Sequence, residues 1–139
     1  MTDEMTRKRI ALEYCARMNA GDLDGVLALF AAGAVFEDPV GSPRPLRPHL
    51  ARAIDGRVRE TPGTPVAAMD DRHVLLPATV TVSDSLLPRG KRVRYELIGL
   101  LGIGDDGLIE HVQVFWSSSD VTLVDEGPGS AGPATVPSA

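Results

Sequence analysis

Asp38 follows the apolar run Ala34-Val35-Phe36 and precedes Pro39-Val40-Gly41. Proline disfavours helical geometry in the residue before it, so Asp38 is expected at the end of a short extended segment. A carboxylate fixed there can serve as a general base, or it can simply cap a turn. Tyr14 shares helical spacing with Ile10 and Met18, which places it on the face that packs inward. Its hydroxyl then needs an internal hydrogen bond, as in an ordinary core tyrosine, or a ligand.

Further along, Glu110, Val112, Val114 and Trp116 alternate with His111, Gln113 and Phe115. The face carrying the single tryptophan is expected to point inward, and His111 outward. Tyr95, Leu97, Gly99 and Leu101 share a face of the preceding strand, where Gly99 leaves room. With Met18 and Phe30 from the helical part, Trp116, Tyr95, Leu97, Gly99 and Val114 are the expected substrate-binding set. His49 and His73 have no carboxylate or cysteine at metal-ligand spacing, so no metal is expected. The chain has no Gly-x-Ser-x-Gly elbow, no phosphate-cradling loop and no dinucleotide fingerprint, so no cofactor is expected either. The remaining chemistry is acid/base catalysis by carboxylates in an apolar cavity.

These residues require an architecture that gathers them. Residues 6–19 read as an amphipathic helix, and Gly21-Asp22 as the stop and cap before a second helix with Leu23, Val26, Leu27, Leu29 and Phe30 inside, ended by Gly33. A short third helix is expected over about 49–58, after the prolines at 43, 45 and 48. β-rich runs then cover 65–69, 72–82, 91–103 and 108–117, joined by Asp70-Asp71, Leu87-Pro88-Arg89-Gly90 and Asp105-Asp106-Gly107. Helices first and strands afterwards predict an α+β fold, with helices packed on a strongly curved, mainly antiparallel sheet. Residues 126–139 are too poor in apolar bulk to pack and are expected to be a disordered tail on one domain spanning 1–125.

Composition narrows the function. The 139 residues are 43% hydrophobic and carry a net charge of -5, with basic residues scattered, so nucleic acid is not an expected partner. Cys15 is the only cysteine, which excludes an internal disulfide. No apolar run or leader pattern directs the sequence to a membrane, and a cytoplasmic protein is expected.

Tyr14, Gly21-Asp22, the stretch from Ala34 to Gly41, and Asp106-Gly107-Leu108-Ile109 running to Phe115-Trp116 resemble the ketosteroid isomerase branch of the nuclear transport factor 2-like superfamily. The resemblance implies a cone-shaped α+β barrel, a general base at Asp38 and an oxyanion donor at Tyr14. The second donor of that branch falls at Gly99, which has no side chain to donate, and this weakens an isomerase. The stretches 7–15, 19–27, 37–41, 59–63 and 76–82 are similar, more specifically, to the epoxide hydrolases/cyclases of polyether ionophore biosynthesis. That similarity implies an Asp and a Glu as acid/base pair, at Asp38 and Glu60, acting on an apolar polyketide-like substrate. Glu60 is otherwise a solvated residue at a strand start.

Opening an epoxide with an internal hydroxyl needs a base for the hydroxyl and an acid for the epoxide oxygen, and one ionised and one neutral carboxyl suffice. Either residue fits either role by sequence, because burial and mutual distance decide. Two other functions fit the same pocket: a double-bond isomerase or pyran-forming dehydratase/cyclase with Asp38 as base, and a non-catalytic small-ligand binder. A homodimer through the outer sheet face, where His111, Gln113 and Phe115 lie, is also expected.

Overall fold

The computed structural model describes residues 2–126. Helix α1 (Glu4–Asn19) starts where the Asp3 carboxylate accepts the Thr6 N–H at 2.7 Å, and it buries Ala11, Cys15 and Met18 at helical spacing. Arg7, on the same buried face, donates to the carbonyls of Thr2, Ala68 and His73 and so ties α1 to the sheet. Gly21 at φ +70 ends the turn, and Asp22 caps α2 (Leu23–Leu27) through the Gly25 N–H. This second helix is shorter than its apolar spacing suggests. Phe30 opens strand β1 (Phe30–Glu37) instead of closing the helix, because parallel pairing with a distant strand takes over there: the Ile109 N–H reaches the Leu29 carbonyl at 2.8 Å.

A tight turn at 38–42 leads to β2 (Pro43–Arg44) and α3 (Leu46–Asp55). The helix starts three residues before His49 because Pro48 lies in its first turn, where the missing N–H costs nothing. Strands β3 (Arg59–Pro62), β4 (Val66–Ala67), β5 (His73–Val82), β6 (Lys91–Ile103) and β7 (Ile109–Phe115) follow. A 3-10 turn (Ser118–Asp120) then gives β8 (Val121–Asp125), which lies past the last expected β-rich run, 108–117. Glu126, assigned to the tail by composition, pairs with Arg57 and donates its N–H to the Gly90 carbonyl at 2.7 Å. The rest of the expected tail, 127–139, lies outside the described residues.

The strands form one mixed, open sheet in the order β2-β1-β7-β6-β5-β3, with β4 beside β5 and β8 beside β6. Every pairing is antiparallel except β1 with β7. The three helices pack against it over a core that includes Met18, Val26, Leu50, Val74, Leu101, Ile103 and Ile109. The fold is the expected α+β cone. In a flat sheet β1 and β3, four steps apart, would be separated by roughly 19 Å. Asp38, directly after β1, and Glu60, on β3, nevertheless line one cavity, so the sheet bends enough to face its two sides toward each other.

One irregularity corrects the expected inward face of β7. Gly102 pairs with His111 but Ile103 pairs with Ile109, leaving Glu110 as the extra residue of a bulge. Alternation resets there, so Ile109, Val112 and Val114 are buried while Glu110 turns out to pair with Arg72 at 2.5 Å. Among the described residues no helix is long and apolar enough to cross a membrane.

Candidate active site

Between the helices and the concave face of the sheet lies a cavity of about 310 Å³. Leu76, Ala78 and Val80 of β5, Leu97 and Leu101 of β6, and Val112 and Val114 of β7 form its apolar wall, with Met18 and Leu50 from the helices. Tyr95, Leu97, Gly99 and Leu101 all face it, as their alternation requires. A side chain at Gly99 would begin in ordinary contact, its Cβ 3.6 Å from Leu101 Cδ1 and 3.8 Å from the Leu76 carbonyl oxygen. The glycine therefore leaves usable space. Into this apolar wall project Tyr14, Asp38, His49, Glu60, Tyr95 and Trp116, and the exposed Arg44 and Arg52 stand at the rim.

Asp38 is positioned by its turn. Its N–H donates to the Ser42 carbonyl at 3.0 Å, Gly41 at φ +92 closes the loop, and Arg44 Nε donates to the Asp38 carbonyl at 2.9 Å. The carboxylate receives one donor on each oxygen. Trp116 Nε1 donates to Oδ1 at 2.8 Å, and His49 Nε2 lies 3.0 Å from Oδ2. Burial pushes this carboxyl up, but the His49 and Trp116 hydrogen bonds together outweigh it and hold the group below its usual value. Asp38 is therefore ionised at neutral pH.

Glu60 is shifted the other way. Its side chain is buried, and its backbone N–H donates to Asn19 Oδ1 at 2.6 Å while Asn19 Nδ2 donates to its carbonyl at 2.8 Å. Burial raises its carboxyl to about 7; the Cys15 thiol hydrogen bond opposes this and the nearby Asp38 charge adds to it. Burial likewise drives the Cys15 thiol far above its ordinary value. The solvated strand-start reading of Glu60 is thus overturned: the side chain points into the cavity from the strand.

Tyr14 lies between the two carboxyls electrostatically. Burial first, then the charges of Glu60, Cys15 and Asp38, push its phenol well above 10.0. Its ring stands edge-on to Phe30 with centroids 6.2 Å apart, and no protein acceptor or donor reaches its hydroxyl among the described residues. Phe30, expected to touch substrate, sits behind this wall, buried between Tyr14 and Phe36. Its start-of-strand position turns the ring into the core rather than the cavity. Tyr95 packs edge-on against Trp116 at 5.0 Å and supports the indole that holds Asp38.

Three residues at this site went unassigned by sequence reasoning. His49 follows Asp38 by eleven positions across a proline-rich loop, a separation with no periodic signature. Asn19 and Cys15 look like ordinary residues of an amphipathic helix. Only their one-turn spacing, which puts both on the face toward β3, hints at a common partner. His111, placed on the outer face, has Nε2 3.5 Å from Glu37 Oε2 there. Among the described residues no cluster of three His, Cys, Asp or Glu side chains could hold a metal ion.

Comparison with known proteins gives this geometry a context. The chain is 46% identical over 125 residues to the epoxide hydrolase LasB of Streptomyces lasalocidi, covering 86% of this chain but only 44% of that protein's length. Its structure matches that of SalBIII, an epoxide hydrolase/cyclase-like enzyme with a role in pyran ring formation in polyether salinomycin. That match has a TM-score of 0.83 and 28% identity, over 89% of this chain and 100% of SalBIII. A ketosteroid isomerase from Mycobacterium sp. shares the fold at a TM-score of 0.71 and 20% identity, covering 86% of this chain and 98% of the isomerase. Residues 11–112 match the SnoaL-like domain, and with that span lying inside the helix-and-bent-sheet fold described above, the chain belongs to the SnoaL-like family.

Proposed function

We propose that the protein is a cofactor-independent epoxide hydrolase/cyclase that closes cyclic ethers on an apolar polyketide-like substrate. The observation that carries this reading is the opposite displacement of two carboxyls in one apolar cavity, Asp38 downward and Glu60 upward to about 7. Such a pair presents an ionised base and a neutral acid at the same pH. Asp38 takes the proton of a substrate hydroxyl as that oxygen bonds to an epoxide carbon. The epoxide C–O bond breaks, and its oxygen takes the proton of Glu60. The product is an isomer of the substrate, and once it leaves, Asp38 releases its proton and Glu60 regains one by exchange with solvent, so no co-reactant is consumed. Tyr14, with its high phenol pKa, stays protonated and can donate to the leaving oxygen.

The likeness to SalBIII supports a second reading, in which Asp38 alone promotes pyran formation by hydroxyl addition to an enone. Incubation with a hydroxy-bisepoxide and with a hydroxy-enone, followed by product analysis, separates the two. Asp38→Asn should slow epoxide opening by on the order of 10² to 10⁴, Glu60→Gln comparably, and the double variant little further, since the groups act as a unit. A damaged Asp38 variant beside an unaffected Glu60 variant would favour the enone chemistry. Full-rate epoxide closure in both carboxamide variants would leave the cavity a mere template and end the carboxylate mechanism.

The same reading assigns the protein to the cytoplasm, where the buried Cys15 behind the acid stays reduced. It also makes the protein a homodimer. The outer face of β1, β5, β6 and β7 carries the exposed side chains Val35, Leu75, Ile98 and Phe115, with Ile98 and Phe115 directly paired across strands. A two-fold axis over such a patch buries it against itself.

A further inference from the structure

We infer that Asn19 is the positioning residue of the acid: its side-chain amide acts as a one-residue strand that fixes Glu60 on the edge of the sheet. This inference rests on the proposed role of Glu60.

Strand β3 is the last in the sheet order and pairs only with β5, so its other edge has no strand partner. Glu60 sits opposite Val80 in that pairing. Its own N–H and C=O do not serve the ladder but point outward, where the Asn19 amide meets both, at 2.6 and 2.8 Å. A primary amide is the side chain that reproduces a neighbouring strand's alternating acceptor and donor. Asn19 can do this because it is the last residue of α1, with Gly21 at φ +70 turning the chain away directly after it. Edge strands left bare are free to fray or slip, and a one-residue slip would turn the Glu60 side chain out of the cavity.

The same helix supplies the contact to the carboxyl end. Cys15, one turn before Asn19, is buried beside the Glu60 carboxyl, and its thiol acts to lower that carboxyl's pKa. The titratable groups facing Glu60 are Cys15 and Tyr14 of α1 and Asp38 after β1. Val80, opposite Glu60 in the pairing with β5, and Val58, two residues before it and also lining the cavity, are apolar. Loosening β3 admits water to this enclosure and relaxes the burial that raises the carboxyl.

The test uses the full chain. Asn19→Ala removes both hydrogen bonds, and Asn19→Asp keeps the acceptor while setting an anion against the Glu60 carbonyl. Val26→Ala, a core truncation outside the cavity, is the control for lost stability alone. The Glu60 carboxyl is titrated without substrate by infrared difference spectroscopy, with Glu60→Gln assigning its band. Kinetics use a hydroxy-epoxide analogue. In Asn19→Ala the midpoint of Glu60 should fall, and in Asn19→Asp the added anion should oppose that fall, as the Asp38 charge does. For Asn19→Ala, kcat at neutral pH should drop about 10- to 100-fold with KM changed by less than about twofold, because misplacement of a reacting group acts on kcat. The defect should narrow as the pH is lowered. Val26→Ala should lose melting temperature without moving the midpoint. An unmoved midpoint in Asn19→Ala, or an equal shift in Val26→Ala, overturns the assignment. A midpoint that responds to Asn19 in a protein that opens no epoxide supports the positioning and removes the epoxide reading.

Discussion

Trp116 and Asp38, 78 positions apart in sequence, are joined by a single hydrogen bond from Nε1 to Oδ1 at 2.8 Å. With His49 on Oδ2, it fixes the plane of the carboxylate and leaves the remaining lone pairs for a substrate proton. Trp116→Phe keeps a ring against Tyr95 but removes this donor. A hydrogen bond to a charged group contributes roughly 1.5–3 kcal/mol, so the Asp38 carboxyl should rise and turnover fall about 10- to 100-fold. The acid limb of the pH–rate profile would move to higher pH. An acid limb that stays in place shows that His49 alone sets the base.

The two carboxyls also predict how activity and stability follow pH. Catalysis needs Asp38 ionised and Glu60 protonated, so kcat/KM should be flat from just above the lowered Asp38 value and fall as pH rises through about 7. Stability moves the same way on the alkaline side. Glu60 holds its proton more tightly folded than unfolded, so its contribution is complete below the ordinary carboxyl value of 4.5 and is lost as pH rises through about 7. Asp38 is the reverse: its contribution is present above 3.8 and is lost as pH falls through its lowered folded value. Denaturant titrations across this range should show Glu60→Gln without the alkaline decline; a decline of wild-type size in that variant would place its source elsewhere.

Gly99 governs how much of the cavity a substrate can use. Its Cβ position is in ordinary van der Waals contact, so Gly99→Val should fold, with the added methyls projecting into the cavity. The expected result is a KM raised about tenfold for a bulky hydroxy-epoxide, the loss of roughly 1.4 kcal/mol of binding. Unchanged KM for substrates of every size would mean that substrate bypasses this wall.

The outer face of the sheet should hold two copies together. Phe115→Asp places a charge directly opposite Ile98, in the middle of the exposed apolar patch. Light scattering at micromolar concentration should read a dimer for the natural sequence and a monomer for this variant. A natural chain that is already monomeric would remove the dimer from the proposal.

Local chemistry carried much of this structure in advance. The cap at Asp22, the long strands β5 and β6, and the turns at Gly90 and Gly107 were legible because each depends on residues within a few positions. Phe30 was misread because a helical apolar spacing and a strand start look alike until Ile109, far along the chain, supplies the pairing. Glu110 was misread because a bulge resets alternation without a sequence mark of its own. At the site, Asp38 and Tyr14 announced themselves by type and context. His49 and Asn19 did not, since their roles arise from contacts 11 and 41 positions away.

The bend that brings β1 and β3 face to face makes the sheet a calliper. Its jaws are the base after one strand and the acid on another, with β7, β6 and β5 as the bow between them. On the proposed mechanism, the opening of the jaws sets how far apart the attacking hydroxyl and the departing oxygen lie, and so bears on which ring closes. The bulge at Glu110 is a joint in that bow. Deleting Glu110 to straighten β7 should change the ratio of five- to six-membered ether products, as read by product chromatography, while keeping both carboxyls in the chain and altering only their span. An unchanged ratio would show that the span is fixed by the helices instead.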